Sequence, residues 1–437
     1  MITPADLPAA SADDLAPGLE VEVDVGPVAH GGHCVARYDG RVIFVRLALP
    51  GERVIVKITE ARKGSFCRGE AIRVLRADPR RVDAPCGHFR PDGCGGCDFQ
   101  HAEPGLQREL KAFVVAEQLR RLAGVDRDVT VEPLPGDGFG WRTRVRWALD
   151  AAGRIGPRRV RSHRVEGVNA AAPCLIAVPG LTELAGSIDI PTGVRKAVTS
   201  AATAQPDGRT PRARRSRSTA GGLPEGTLTA AGDGTLAAVW TGSTGSTVPT
   251  VTERAAGREF SVAADGFWQV HLAAADTLSR AVSEALGGVE LVGGRAWDLY
   301  GGVGLFAEIL CRAVGADGSV VLVETDPAAC ALAQTNLARH PQATVRQGRV
   351  DAVIGEIDGP VDAVVLDPPR TGAGQAMCAE IATRTPAVVV YVACDPAALG
   401  RDTAALAASG YRLDTLRAFD AFPQTHHVEC VARFVPA

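Results

Sequence analysis

From about residue 18 to 77 apolar and polar positions alternate, in VEVDV, RVIFVRL, ERVIVKI and EAIRVLR. Turn residues separate the runs: Gly31-Gly32, Asp39-Gly40 and Pro50-Gly51. A period of two puts one face of each strand in a core, so this pattern predicts a small antiparallel barrel, OB-like or of another kind. Pro104 to Leu122 reads as a helix, with apolar Leu106, Leu110, Phe113 and Val114 and with Gly124 past its end. WRTRVRWAL then alternates as a strand. Residues about 200–250 are rich in Arg, Ser, Thr and Gly, and are expected to form a mobile loop or weakly structured insertion. At Leu272 the period changes. A helix carrying Leu272, Ala275, Leu278, Val282 and Leu286 stops at Gly287-Gly288, and the strands RAWDLY, SVVLVE, ATVRQ, VDAVVLD and AVVVYVA follow with helices between them. Strand–helix alternation predicts a doubly wound parallel sheet. The last two strands, YRLDTLRAF and VECVARF, are joined only by the loop Asp420–His427 and must pair antiparallel.

Composition narrows the class. The 437 residues suffice for two or three domains, and charge is near neutral. The opening MITPADLPAASADDLAPG lacks the basic and apolar regions of a signal peptide, and no apolar stretch reaches membrane-spanning length. A cytoplasmic protein is expected, in which eleven cysteines argue for metal or catalytic use over disulfides. Residues 131–260 hold 17 Lys/Arg against 11 Asp/Glu, whereas the remainder holds 30 against 39. A basic middle section suggests a polyanionic partner such as nucleic acid. There Arg142, Arg144 and Arg146 alternate along one strand beside Trp141 and Trp147, which predicts a face that meets phosphates, with the tryptophans stacking on bases or filling the core.

The candidate chemistry gathers at strand ends. DLYGGVGLFA, Asp298–Ala307, follows the first strand of the parallel sheet, and its Gly302-x-Gly304-x-x-Ala307 fits a dinucleotide fingerprint. Asp298 opposes that reading, because a carboxylate there repels a pyrophosphate and suits the amino group of S-adenosylmethionine. Glu324, ending the second strand, is placed for ribose hydroxyls. Asp367-Pro368-Pro369-Arg370 ends the fourth strand rigidly, since two prolines hold the chain extended. Cys394 ends the fifth, and Glu429 follows the loop DAFPQTHHV.

Together these stretches resemble the RNA uracil-5-methyltransferase family, enzymes that use S-adenosylmethionine to make 5-methyluridine in ribosomal and transfer RNA. The resemblance covers 18–77, where the barrel looks like a TRAM domain, the cysteine region 86–174, and nearly all of 265–437. It implies a Rossmann-like class I methyltransferase domain (265–437), an OB-like TRAM barrel (18–77) after a tail (1–17), and a small α+β central domain (78–264). It makes Cys394 the nucleophile and Glu429 the base, and puts Gln269 and Asp367 against uracil or cofactor, with Asp298, Tyr300, Gly302, Gly304 and Glu324 around the cofactor. Cys86-x7-Cys94-x2-Cys97, with a distant Cys174, reads by spacing as a site for zinc or an iron–sulfur cluster. The resemblance implies a [4Fe–4S] cluster there, although relatives usually have five residues in the first gap. Two more departures are Asp395 where the family usually has Asn, and Gly301 where it often has Cys, the latter expected to be harmless. The implied activity is methylation of a uridine, flipped out of folded RNA. 23S rRNA is favoured, and the T-loop uridine of tRNA is the alternative. The enzyme is expected to be a monomer that needs neither membrane nor protein partner. Two rivals from other classes are an NAD-dependent dehydrogenase and a catalytically silent RNA-binding protein.

Overall fold

The computed structural model describes residues 15–61, 66–195, 223–241, 247–357 and 359–437. Strands β1 (Glu20–Val28), β2 (Cys34–Tyr38), β3 (Arg41–Arg46), β4 (Arg53–Ala61) and β5 (Cys67–Arg76) close a barrel in the order β1-β2-β3-β5-β4. Its alternation is the expected one, with Val21, Val23 and Val25 inside. The pairing differs from the antiparallel expectation at one seam, where β3 and β5 run parallel. Five is an odd number, so a closed ring of five strands cannot alternate direction throughout.

Helix α1 (Pro104–Ala123) starts on its proline and ends at Gly124, whose φ of 66° is left-handed. It buries two faces. Leu106, Leu110 and Val114 join the barrel core, while Val115 and Leu119 join the core of the large sheet. This helix therefore bolts the barrel to the parallel-sheet domain. After it, β6 (Val131–Pro133) leaves the central region to become an edge strand of the large sheet.

The central sheet has the order β10-β9-β7-β8, from β7 (Arg144–Leu149), β8 (Ile155–Gly156), β9 (Glu225–Ala230) and β10 (Leu236–Trp240), with α2 (Pro179–Ser187) packed on it. Part of the expected insertion at 200–250 is thus regular structure, because β9 and β10 fall inside it. Those two strands are short and rich in Gly, Ala and Thr, and only the pairing of β9 with β7 and of β10 with β9 marks them as strands. Residues 200–222 and 242–246 of that insertion lie outside the described residues. A hairpin, β11 (Thr250–Ala255) and β12 (Arg258–Ala263), leads into the last domain.

That domain runs α3 (Ala274–Leu286), β13 (Arg295–Leu299), α4 (Leu305–Val314), β14 (Ser319–Glu324), α5 (Pro327–Asn336), β15 (Ala343–Gln347), β16 (Ala363–Leu366), α6 (Gln375–Thr383), β17 (Val388–Ala393), α7 (Pro396–Ala408), β18 (Tyr411–Asp420) and β19 (Glu429–Pro436). Sheet order is β15-β14-β13-β16-β17-β19-β18-β6. Strands β13 to β17 are parallel, and β19 lies antiparallel between β17 and β18. Every residue of β16 and β17 is buried, as expected for strands covered on both faces. The order reverses between β13 and β16, and ligands bind at the carboxyl ends of strands at such a reversal.

Candidate active site

At that reversal lies a cavity of about 740 Å³. Gln269, Tyr300, Gly302, Glu324, Asp367, Cys394 and Glu429 all line it, so seven of the nine residues named for catalysis and cofactor binding come together. The two others do not reach its wall. Gly304 caps α4 with a φ of 96°, and Asp298 is fully buried beneath the glycine turn. Burial pushes the Asp298 carboxyl up to about 8, against the pull of the nearby Ala307 amide. At Gly301 the turn has no room for a side chain. A Cβ there would lie 2.5 Å from Leu322 Cγ and 2.8 Å from Asp298 Oδ2, so the turn must move to take a side chain. Tyr300 itself holds a left-handed φ of 61°, a strained conformation for a residue with a Cβ. Glu324 Oε2 accepts from the Gly302 amide at 3.0 Å, which ties the second strand end to the glycine turn.

Cys394 and Glu429 are brought together by register. The β17–β19 ladder ends at the pair Ala393 and Cys430, so Cys394 follows β17 just where Glu429 opens β19, and both line the cavity. Asp367 leaves neighbouring β16 at the same edge. Burial pushes the Cys394 thiol up to about 12, and the Glu429 and Asp367 carboxyls add to the rise while Arg370 opposes it. Burial also raises Asp367 to about 7, and raises Glu429 well above the ordinary carboxyl range. Burial and the mutual repulsion of the three groups therefore disfavour their ionised forms together. A cation in the cavity lowers all three values, which suits a sulfonium ligand.

The loop leading to Glu429 is clamped from elsewhere in the chain. Lys111 of α1, wholly buried, donates to Asp420 Oδ1 at 2.5 Å and to the Phe422 carbonyl at 3.0 Å. Gln107 on the same helix donates to Gln424 Oε1 at 2.9 Å. Asp98, next to Cys97, accepts from the His426 amide at 3.0 Å. None of these contacts was visible in the sequence, since each partner lies hundreds of residues away.

Cys86, Cys94, Cys97 and Cys174 line a second cavity, of about 150 Å³. Burial raises Cys94 to about 12 and also raises Cys97 and Cys174, with the thiols repelling one another's ionised forms. Among the described residues no group of three His, Cys, Asp or Glu side chains forms a site that could hold a metal ion. The four cysteines share the wall of that one cavity. The other six cysteines are all buried. The arginine face is corrected: Arg142 lies before β7 and is half-buried, Arg144 is buried and pairs with Glu253 at 3.1 Å, Trp141 and Trp147 are core residues, and of the three arginines only Arg146 is exposed. Alternation does not separate the faces here: every residue of β7 but Arg146 is buried, and Arg144 meets a buried carboxylate on β11.

Comparison with known proteins decides the family. An RNA methyltransferase of Streptomyces avermitilis is 44% identical over 96% of this chain and 99% of its own. A 23S rRNA (uracil(1939)-C(5))-methyltransferase of Pseudomonas putida is 32% identical over 95% and 94%. The chain belongs to the RNA (uracil-5-)-methyltransferase family. Within it, the TRAM domain matches residues 15–72 and the tRNA (Uracil-5-)-methyltransferase family matches 297–434. The Pyrococcus abyssi tRNA (uracil-54, C5)-methyltransferase, solved in complex with S-adenosyl-L-homocysteine, has the same fold, with a TM-score of 0.65 at 21% identity over 95% of this chain and 100% of that one. The dinucleotide reading of the glycine turn falls with this membership. Among the described residues no helix is long and apolar enough to cross a membrane.

Proposed function

We propose that this RNA (uracil-5-)-methyltransferase transfers the sulfonium methyl of S-adenosylmethionine to carbon 5 of a uridine in RNA. The meeting of Cys394 and Glu429 on the wall of one cavity carries the reading. Carbon 5 of uracil is a poor nucleophile. The Cys394 thiolate adds to carbon 6, and the electron pair displaced to carbon 5 takes the methyl group, whose bond to sulfur breaks so that S-adenosylhomocysteine is left. Glu429, as carboxylate, then removes the proton from carbon 5, and the carbon–sulfur bond breaks to restore the 5,6 double bond and release the thiolate. Gln269 and Asp367 hold the uracil edge or the cofactor. Tyr300, Gly302 and Glu324 cradle the cofactor, and Asp298 and Gly304 shape the turn from below.

23S rRNA is the favoured substrate, because the relatives that bear that activity in their names align over 95% of this chain. The tRNA name of the family matched over 297–434 supports the second reading, a T-loop uridine. The test is a mass-spectrometric count of 5-methyluridine in separated 23S rRNA and tRNA from wild type, deletion, and deletion carrying Cys394→Ala. Loss from one pool that Cys394→Ala fails to restore supports the reading and names the substrate. No change in either pool refutes it.

The same reading assigns Cys86, Cys94, Cys97 and Cys174 to a [4Fe–4S] cluster with a structural role. Four cysteines on the wall of one cavity fit a polynuclear group better than one ion, and the Arg142 guanidinium near Cys174 and Cys97 suits ligated thiolates. Iron and acid-labile sulfide in anaerobically purified protein, lost in Cys97→Ser, test this. The enzyme is taken to act in the cytoplasm as a monomer.

A further inference from the structure

The barrel reaches the nucleophile through the turn between β1 and β2. His30 Nε2 lies 3.0 Å from Asp395 Oδ2, across 365 residues of chain. Asp395 directly follows Cys394, and its other oxygen, Oδ1, accepts from the Ala398 amide at 2.8 Å and so caps α7. One carboxylate therefore serves both the helix and the barrel. Two residues beyond His30, Gly32 holds a φ of +78° and presses on the loop before Glu429, where a Cβ would come within 2.6 Å of His426 Cβ. A small cavity of about 20 Å³ separates this turn from Cys394, so barrel residues form the back wall of the thiol whose other side faces the large cavity.

We propose that His30 is a positioning residue for the methyl transfer: by pairing with Asp395 it satisfies and directs the carboxylate that stands next to Cys394. The inference rests on Cys394 being the nucleophile. An asparagine at 395 could cap α7 without adding charge. Asp395 instead puts a carboxylate beside the thiol, where its field disfavours the thiolate. The His30 hydrogen bond gives that charge a partner and a fixed direction, as an outer residue does for a functional group it orients.

The test uses the full-length enzyme with S-adenosylmethionine and whichever of 23S rRNA or tRNA the wild type methylates. Variants are His30→Ala, His30→Gln and His30→Ala/Asp395→Asn. His30→Ala should lower kcat about tenfold, equivalent to about 1.4 kcal/mol in the barrier, with the KM for S-adenosylmethionine and the melting temperature unchanged. His30→Gln, which keeps a donor, and the double variant, which removes the unmatched charge, should each recover most of kcat. Alkylation of Cys394 by iodoacetamide, followed by peptide mass spectrometry, should slow in His30→Ala and recover in the double variant. Wild-type kcat and alkylation in His30→Ala overturn the inference, as does a loss that Asp395→Asn does not relieve. If the wild type methylates neither RNA, the methyl-transfer reading fails and takes the kinetic role of His30 with it, while the alkylation series separately reports control of the thiol.

Discussion

Lys111→Met removes the buried cation that holds the loop before Glu429. The ammonium has no exposure, Asp420 is nearly as deep, and the two are 2.5 Å apart. Burial pulls the Lys111 pKa down and the Asp420 charge pulls it back part of the way, so the pair is maintained against a large desolvation cost. Removing one member of such a pair strands the other charge, which costs about 3–5 kcal/mol. Replacing both by neutral side chains of similar volume is far cheaper, so Lys111→Met/Asp420→Asn should be more stable than Lys111→Met alone, with a coupling on the order of 2 kcal/mol or more. Urea unfolding followed by circular dichroism measures the stabilities, and hydrogen exchange at residues 420–428 measures the loop itself. The single variant should expose these amides and lower methyl transfer more than its global stability explains. A cost of Lys111→Met under about 1 kcal/mol, or a double variant that simply adds the two single costs, would refute the argument.

Asp298→Asn should change how stability depends on pH. The folded carboxyl is pushed up to about 8, above the unfolded value of about 3.9, so the folded state binds the extra proton. That stability is complete below about pH 4 and is lost as pH rises through 8. Thermal scans should therefore show the variant gaining on wild type towards pH 9, and parallel curves from pH 5 to 9 would contradict the buried, ill-matched carboxyl. Glu429→Gln should stop the reaction after methyl transfer and accumulate a covalent RNA–protein adduct on denaturing gels, absent when Cys394→Ala is added. An adduct that turns over at the wild-type rate would show that another group removes the proton. Gly301→Ala should weaken S-adenosylmethionine binding in calorimetry, because its Cβ meets Leu322 and Asp298. Unchanged affinity would mean that the turn relaxes freely.

Much of the catalytic domain was legible before any coordinates. Strands such as VVVYVA and SVVLVE declare themselves through neighbouring residues, and a right-handed run of strand–helix units leaves few topologies open. Strand ends at one edge of a parallel sheet then bring Asp367, Cys394 and Glu324 near one cavity. The motif around Glu429 singled that residue out, but the register of β17 against β19 is what brings it to the strand end that carries Cys394. Short elements escaped. Residues 225–230 and 236–240 look like a loop by composition and become strands only by adding to β7, the first directly and the second through the first. The sign of a charge was visible at Arg144, but not the buried Glu253 that consumes it.

Local periodicity is written in adjacent residues, so the sequence by itself determined the strands, the helices and the order that makes a methyltransferase sheet with a barrel before it. Only the tertiary structure decided that Asp298 lies under the floor, that Lys111 grips Asp420, and that His30 meets Asp395. Such pairings join positions far apart in the chain. Their geometry follows from how whole elements pack, and no local pattern of residues records it.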